Sequence, residues 1–192
     1  MPYGHTGNIL HIDLSSKKHW IEHPLENFYR TYCGGRVLVL YYMLKEMKPK
    51  TDPLSPDNLL IFAPSVITST PAPAMPRYTV CAKSPLTGAQ GEAEAGGWWG
   101  PELKKAGFDA IIIKDSSPIP VYLLINDGKI EIKNATHLWD KDTGETQKII
   151  RGELADDKIR IAQIGPAGEN LVRFANIVNE LNTLMAEMVW GQ

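Results

Sequence analysis

The chain has 192 residues, 43% of them hydrophobic and 22% charged, with a net charge of −2. That is enough chain to bury a core within one domain, and with a composition close to the globular average disorder is not the expectation. The charges are interspersed, which leaves no basic face for nucleic acid, and no apolar run approaches the ~20 residues that span a bilayer. The N-terminus lacks a charged leader followed by an apolar block, so a cytoplasmic protein without nucleic-acid or membrane partners is expected.

Cys33 and Cys81 are the only cysteines and stand far apart. Neither belongs to a C-x-x-C pair, so buried free thiols are expected, and no disulfide framework, zinc site or iron–sulfur site made by this chain alone.

In chain order, residues 8–14 and 18–21 alternate around Ser15-Ser16-Lys17 and read as a hairpin. A helix over 26–33 is interrupted by Gly34-Gly35 and resumes over 37–46. The prolines of 48–57 mark a loop, and 59–63 is a short apolar strand.

Residues 69–107 organise the chain. Pro71, Pro73 and Pro76 hold an extended approach to Arg77, which opens a strand over 78–82. Gly96 and Gly97 then precede Trp98 and Trp99, with Pro101 and Glu102 in a first helical turn and Gly107 as its cap. A glycine turn feeding a helix start can offer backbone N–H groups to an anion, with Arg77 closing on phosphate. A tight turn of small residues beside a core tryptophan accounts for the same pattern.

Downstream, the β-branched run 108–114 reads as a central strand. Residues 121–125 and 129–132 flank Asn126-Asp127-Gly128 and form the clearest hairpin, since Asp-Gly suits a type I′ turn. A helix over 143–154 is capped by Asp142 or Thr143. A strand over 158–164, a glycine loop over 165–170 and a strand over 172–178 follow. Hairpin, helix, strand, loop and an arginine-aromatic strand thus occur twice, with Arg173-Phe174 as the counterpart of Arg77-Tyr78. The expected fold is α+β: two β-sheets from an internal duplication, related by a pseudo-two-fold, with short flanking helices.

Several motifs now carry a resemblance. Residues 53–58 (PLSPDN), Arg77-Tyr78, 83–88 (KSPLTG), 96–104 (GGWWGPELK), 106–110 (AGFDA) and 164–170 (IGPAGEN) resemble the N-terminal domain of tungsten-containing aldehyde:ferredoxin oxidoreductases. The resemblance covers residues 3–181, which places the domain at 1–181 and leaves 182–192 as an atypical tail. It implies a saddle-shaped domain against which a bis-pterin tungsten (or molybdenum) cofactor lies, the metal being held by pterin dithiolenes. Arg77 matches the family arginine that contacts a pterin phosphate, and Gly96, with Gly97 beside it, matches backbone that approaches the cofactor. At Glu94 the best-known members carry an asparagine that helps to hold magnesium between the pterin phosphates; glutamate is also a hard oxygen donor but adds negative charge.

The family's 4Fe–4S cluster and substrate groups come from later domains, so the resemblance implies the cofactor-binding part of an enzyme that oxidises aldehydes to carboxylates with ferredoxin as acceptor. Alone, such a chain is expected to be truncated and inactive, completed by a partner chain or a homo-oligomer. The alternative is a non-catalytic assembly module that dimerises through the exposed saddle. Where the family continues into a glycine-rich loop of the type G-R-x-G-M-G, this chain reads NTLMAEMVWGQ. Two bases later, the junctions Met185-Ala186, Met188-Val189 and Trp190-Gly191 must each encode glycine, and G-R-D-G-M-G is one permitted product. A one-base deletion near Asn182 is therefore expected, against an unrelated natural tail or a cloning scar. The five histidines are scattered and form no metal-spaced helical pair. Trp20, Trp98, Trp99 and Trp139 are expected to anchor packing.

Overall fold

The computed structural model describes residues 4–180 and the backbone of the two-residue strand Thr183–Leu184. The remainder of the 182–192 tail, with its proposed frame change, lies outside the described residues.

The first hairpin forms where alternation placed it, with β1 (Ile9–Asp13) and β2 (Lys18–Glu22) antiparallel. On its other edge β1 takes a parallel neighbour, β6 (Ala110–Lys114). Residues Ala-Ile-Ile-Ile suit that central place because both faces of the strand are covered. β3 (Leu59–Pro64), β4 (Tyr78–Lys83) and β5 (Gln90–Ala95) follow antiparallel, giving the order β2-β1-β6-β3-β4-β5. β5 has no β-branched residue and went unforeseen. Its signal is an alternation of small and charged side chains, in which Ala93 and Ala95 turn into the core while Glu94 faces outward.

Helices α1 (Glu26–Tyr32) and α2 (Gly35–Glu46) cover one face of this sheet, where Tyr29, Leu38, Val39 and Tyr42 pack on Ile9, Ile61 and Ile112. The opposite face, through Leu10, Phe62, Val80 and Ile111, meets α3 (Trp99–Lys105) through Leu103. It also meets the hairpin β7 (Val121–Asn126) and β8 (Lys129–Asn134), whose Leu123, Ile125, Ile130 and Ile132 pack against that core. Asp127 and Gly128 have φ of 47° and 79°, as a type I′ turn requires. Behind the hairpin, Tyr122 packs with Leu138, Ile150 and Leu154 of the region around α4 (Thr143–Leu154). The α4 cap is Asp142, whose Oδ1 accepts the Glu145 N–H at 2.8 Å.

The fold is α+β, and the element order of hairpin, helix and antiparallel strand pair recurs in the second half. There the strands are shorter than expected. β9 is Ala162–Gln163 and β10 is Val178–Asn179, with β11 (Thr183–Leu184) beyond it, so the described strands make sheets of six, three and two. The loop over 165–170 contains the one-turn helix α5 (Pro166–Glu169), opened by Pro166. Arg173 and Phe174 lie in a turn closed by Ala175 N–H to Val172 O at 2.9 Å. Because β10, which starts at Val178, pairs with β9 as β4 pairs with β3, Arg173 is not the counterpart of Arg77.

Cys81 is buried as expected, and burial pushes its thiol up to about 12. Cys33 is exposed instead, because it caps α1 in a left-handed conformation with φ 52°. Trp99 packs obliquely on Tyr78 and Phe62, with ring centroids 4.7 and 5.1 Å apart; Trp20 is part-exposed but stacks on the buried His11 at 4.8 Å, whereas Trp98 is exposed.

One buried ion pair ties these layers together. Lys104 Nζ lies 2.7 Å from Asp109 Oδ1, with side chains 1% and 4% exposed. The Asp109 carboxylate also accepts the N–H groups of Thr6 and Gly7 and the Thr6 hydroxyl at 2.8–3.0 Å, while Lys104 donates to Gly4 O at 2.7 Å. Burial raises the Asp109 pKa, yet the charge of Lys104 and the Thr6 bonds outweigh it and hold the carboxyl below its ordinary value. Asp109→Asn strands the Lys104 charge, so a loss of about 3–5 kcal/mol is expected in urea unfolding at pH 7. Since the folded pKa is depressed, this stabilisation is full above the unfolded carboxyl value of about 3.9 and is lost as pH falls through the folded value. Wild type should therefore lose stability on acidification more steeply than the variant. Thiol titration should find Cys33 reactive in the native chain and Cys81 only after denaturation.

Candidate functional site

β4 and β5 place the expected site residues side by side. Thr79 pairs with Glu94 across the ladder, and Arg77 immediately precedes β4. The Arg77 Nη1 lies 3.4 Å from Glu94 Oε2, with side chains 72% and 38% exposed. A second arginine joins them: Arg36 Nη2 is 4.0 Å from Glu94 Oε1, and its Nε is 2.5 Å from Glu92 Oε1. The cluster therefore holds two arginines and two glutamates and is neutral in sum. Ion pairs this exposed contribute at most ~1 kcal/mol each, so they can exchange partners at small cost.

Arg36 was not singled out from sequence, although its signal is there in Gly34-Gly35. Gly34 has φ 74°, and a Cβ on it would lie 2.5 Å from Pro64 O, so only glycine lets α2 begin this close to β3 and bring Arg36 over β5.

The glycine turn lies next to this cluster but differs from an open anion cradle. Gly96 has room beside it, a Cβ there meeting only Pro76 Cγ at 3.9 Å. Its carbonyl accepts the Asn179 side-chain N–H at 3.2 Å. Gly97 adopts φ 84°, and a Cβ on it would come 3.1 Å from Glu180 Oε2. The Trp98 N–H donates to the Glu180 carboxylate at 3.2 and 3.4 Å. Arg160 completes the group, 3.7 Å from Glu180 and 5.6 Å above the Trp98 ring. The start of α3 thus already holds a carboxylate from the second half of the chain, and Arg77, Glu94 and Gly96 form the open part of the surface. Among the described residues no group of three or more His, Cys, Asp or Glu is placed to hold a metal ion, so Glu94 would be one donor among others. No helix among them is long and apolar enough to cross a membrane.

Comparison with known proteins decides the family. Residues 9–191 match the family profile of the aldehyde ferredoxin oxidoreductase N-terminal domain. The chain belongs to the aldehyde ferredoxin oxidoreductase family. It is 47% identical over 178 residues to the tungsten-containing aldehyde ferredoxin oxidoreductases of Pyrococcus furiosus and Thermococcus kodakarensis, which covers 93% of this chain and 29% of each of those proteins. A P. furiosus aliphatic sulfonate oxidoreductase, WOR-like subunit, is 32% identical over 93% of the chain and 31% of its own length. Among solved structures, the BamBC active-site complex of benzoyl coenzyme A reductase with 1,5-dienoyl-CoA superposes with a TM-score of 0.93 and 37% identity, covering 96% of this chain and 28% of that one. This member of the aldehyde ferredoxin oxidoreductase family therefore spans about three-tenths of the length of the relatives it matches, and it matches their N-terminal domain.

Gly97→Ala tests the turn. The left-handed φ and the approach of Glu180 should together cost about 1–2 kcal/mol in urea unfolding, whereas Gly96→Ala, with open space at its Cβ, should cost less.

Proposed function

We propose that this domain carries the phosphate-binding side of a bis-pterin tungsten or molybdenum site in an enzyme that oxidises aldehydes to carboxylates with ferredoxin as electron acceptor. The observation that carries the reading is the exposed Arg77–Glu94–Arg36 cluster beside the open backbone of Gly96. These residues fit the group chemically. A guanidinium that is loosely paired and largely exposed can turn to a phosphate and bind it with two parallel N–H donors. Gly96 leaves room for a bulky ligand to approach the main chain.

Glu94, released by Arg77, can offer a carboxylate oxygen to magnesium between phosphates, and Arg36 stays close enough to offset its charge. The negative charge that glutamate adds at this position thus has its own positive partner. When bound, the metal–pterin group supplies the two-electron redox chemistry. Arg77, Glu94, Arg36 and Gly96 orient it and neutralise its phosphates; they transfer no proton and form no bond to substrate. A 4Fe–4S cluster takes four cysteine ligands, and this chain has two cysteines, one buried, so cluster and ferredoxin contact belong to other parts of the enzyme or to a partner chain.

The test is cofactor content. The chain purified from cells supplied with tungstate should carry metal, measured by mass spectrometry, together with a pterin that fluoresces after oxidation. Arg77→Ala should lower both by about tenfold, as expected for loss of a charge-assisted bidentate contact. A folded wild-type chain without either, or an Arg77→Ala chain with undiminished content, would overturn the proposal.

A further inference from the structure

Helix α2 is apolar on both sides. Its residues 37–44 read Val-Leu-Val-Leu-Tyr-Tyr-Met-Leu, an unbroken run without a charge. Leu38, Val39, Tyr42 and Met43 take the side that packs on the first sheet. The other side carries Val37, Leu40, Tyr41 and Leu44, whose i, i+3, i+4 and i+7 spacing makes one stripe over two turns. Val37, Leu40 and Leu44 are 50%, 39% and 77% exposed, and with Tyr32 of α1 they line a shallow groove of about 390 Å³. A helix that is hydrophobic all round belongs in contact on every side.

The second half of the chain shows that the fold does not demand this. There α4 takes the corresponding place, burying Thr146, Gln147 and Ile150 while Glu145, Lys148 and Glu153 turn outward. The same architecture thus accommodates a polar outer face. The apolar stripe is a feature of α2 and not of the fold.

Its shape and charges point to a second copy as the occupant. The stripe is centred between Leu40 and Tyr41. A two-fold axis there sets two α2 helices antiparallel and places the smaller Val37 of each copy against the larger Leu44 of the other, the self-complementarity that an isologous dimer needs. The cations beside the stripe already have carboxylates: Arg36 pairs with Glu92, and Lys45 Nζ lies 3.6 Å from Glu22 Oε1. Antiparallel pairing brings the Arg36–Glu92 end of one copy to the Lys45–Glu22 end of the other. Each rim then holds two cations and two carboxylates and the helix dipoles oppose, so charge favours the contact. A strongly acidic or strongly basic partner would find no matching excess here. Because the stripe is short, the interface falls below about 1,200 Å² in total, and a dissociation constant of about 10–100 μM is expected. We infer that this chain forms a two-fold dimer through the outer face of α2, with Val37 of each copy packed on Leu44 of the other.

Sedimentation equilibrium of the 192-residue chain from about 5 to about 500 μM brackets that constant. A reversible monomer–dimer equilibrium is expected, at least about tenfold weaker for Leu44→Glu, which sets an unpaired charge at each contact. Leu44 is 77% exposed in the single chain, so the variant should keep the circular dichroism of wild type. Orientation is read by oxidative cross-linking in a Cys33→Ser background. Residues 37 and 44 of one helix lie ~10 Å apart, too far for a disulfide within the chain. The Val37→Cys/Leu44→Cys double variant should therefore give a covalent dimer, and either single variant none. A monomer throughout the range, a dimer that Leu44→Glu leaves intact, or single variants that cross-link as fully as the double one would overturn the inference. So would a chain that stays monomeric and binds phosphatidylserine vesicles through Leu44, because the stripe would then face a lipid surface. The outcome does not depend on cofactor content.

Discussion

The fold depends on one buried charge pair. Lys104 and Asp109 lie at opposite ends of the turn that leads from α3 into β6, the strand on which the first sheet is centred. Their pairing fixes how α3 leaves the sheet, and the bonds from Thr6, Gly7 and Gly4 fasten the N-terminal segment to the same point. Two charges out of water are tolerated only when nearly every donor and acceptor is satisfied, and here backbone groups from a segment about a hundred residues away complete the shell. The glycine turn beside the candidate site lies at the other end of α3, where Asn179 and Glu180 hold it rather than the exposed arginines.

The site is built from weaker forces. Arg36, Arg77, Glu92 and Glu94 hold one another at a solvent-exposed surface, where screening leaves each pair little energy. This division suits a binding surface. A rigid base under charges that can exchange partners lets a ligand find its contacts without disturbing the core.

Much of the fold was legible because it rests on local signals. The Asp127-Gly128 turn, the Asp142 cap, the β-branched run of β6 and the restart of the helix after Gly34-Gly35 each report their own geometry. What escaped the sequence depends on distant partners. β5 is held by its ladder to β4 and carries no strand propensity of its own; Arg36 reaches the site across the sheet; and Glu180 meets the turn at Gly97 from 83 positions away. Arg173 failed as a counterpart of Arg77 for the opposite reason, since a local likeness of two residue types outweighed strand pairing. Of the site, Arg77 and the Gly96-Gly97 turn were legible as a local pattern, Glu94 came only with the family resemblance, and geometry added that Arg77 and Glu94 are partners.

Glu180 gives the surface a direction. A carboxylate that accepts the Trp98 N–H and pairs with Arg160 is already an anion at the start of α3. A second anion at this helix start would have to displace it, whereas the Arg77 guanidinium is 72% exposed and only loosely paired with Glu94. The second half of the chain thus supplies its own anion to this helix start and leaves Arg77, paired with Glu94, as the exposed positive group beside it.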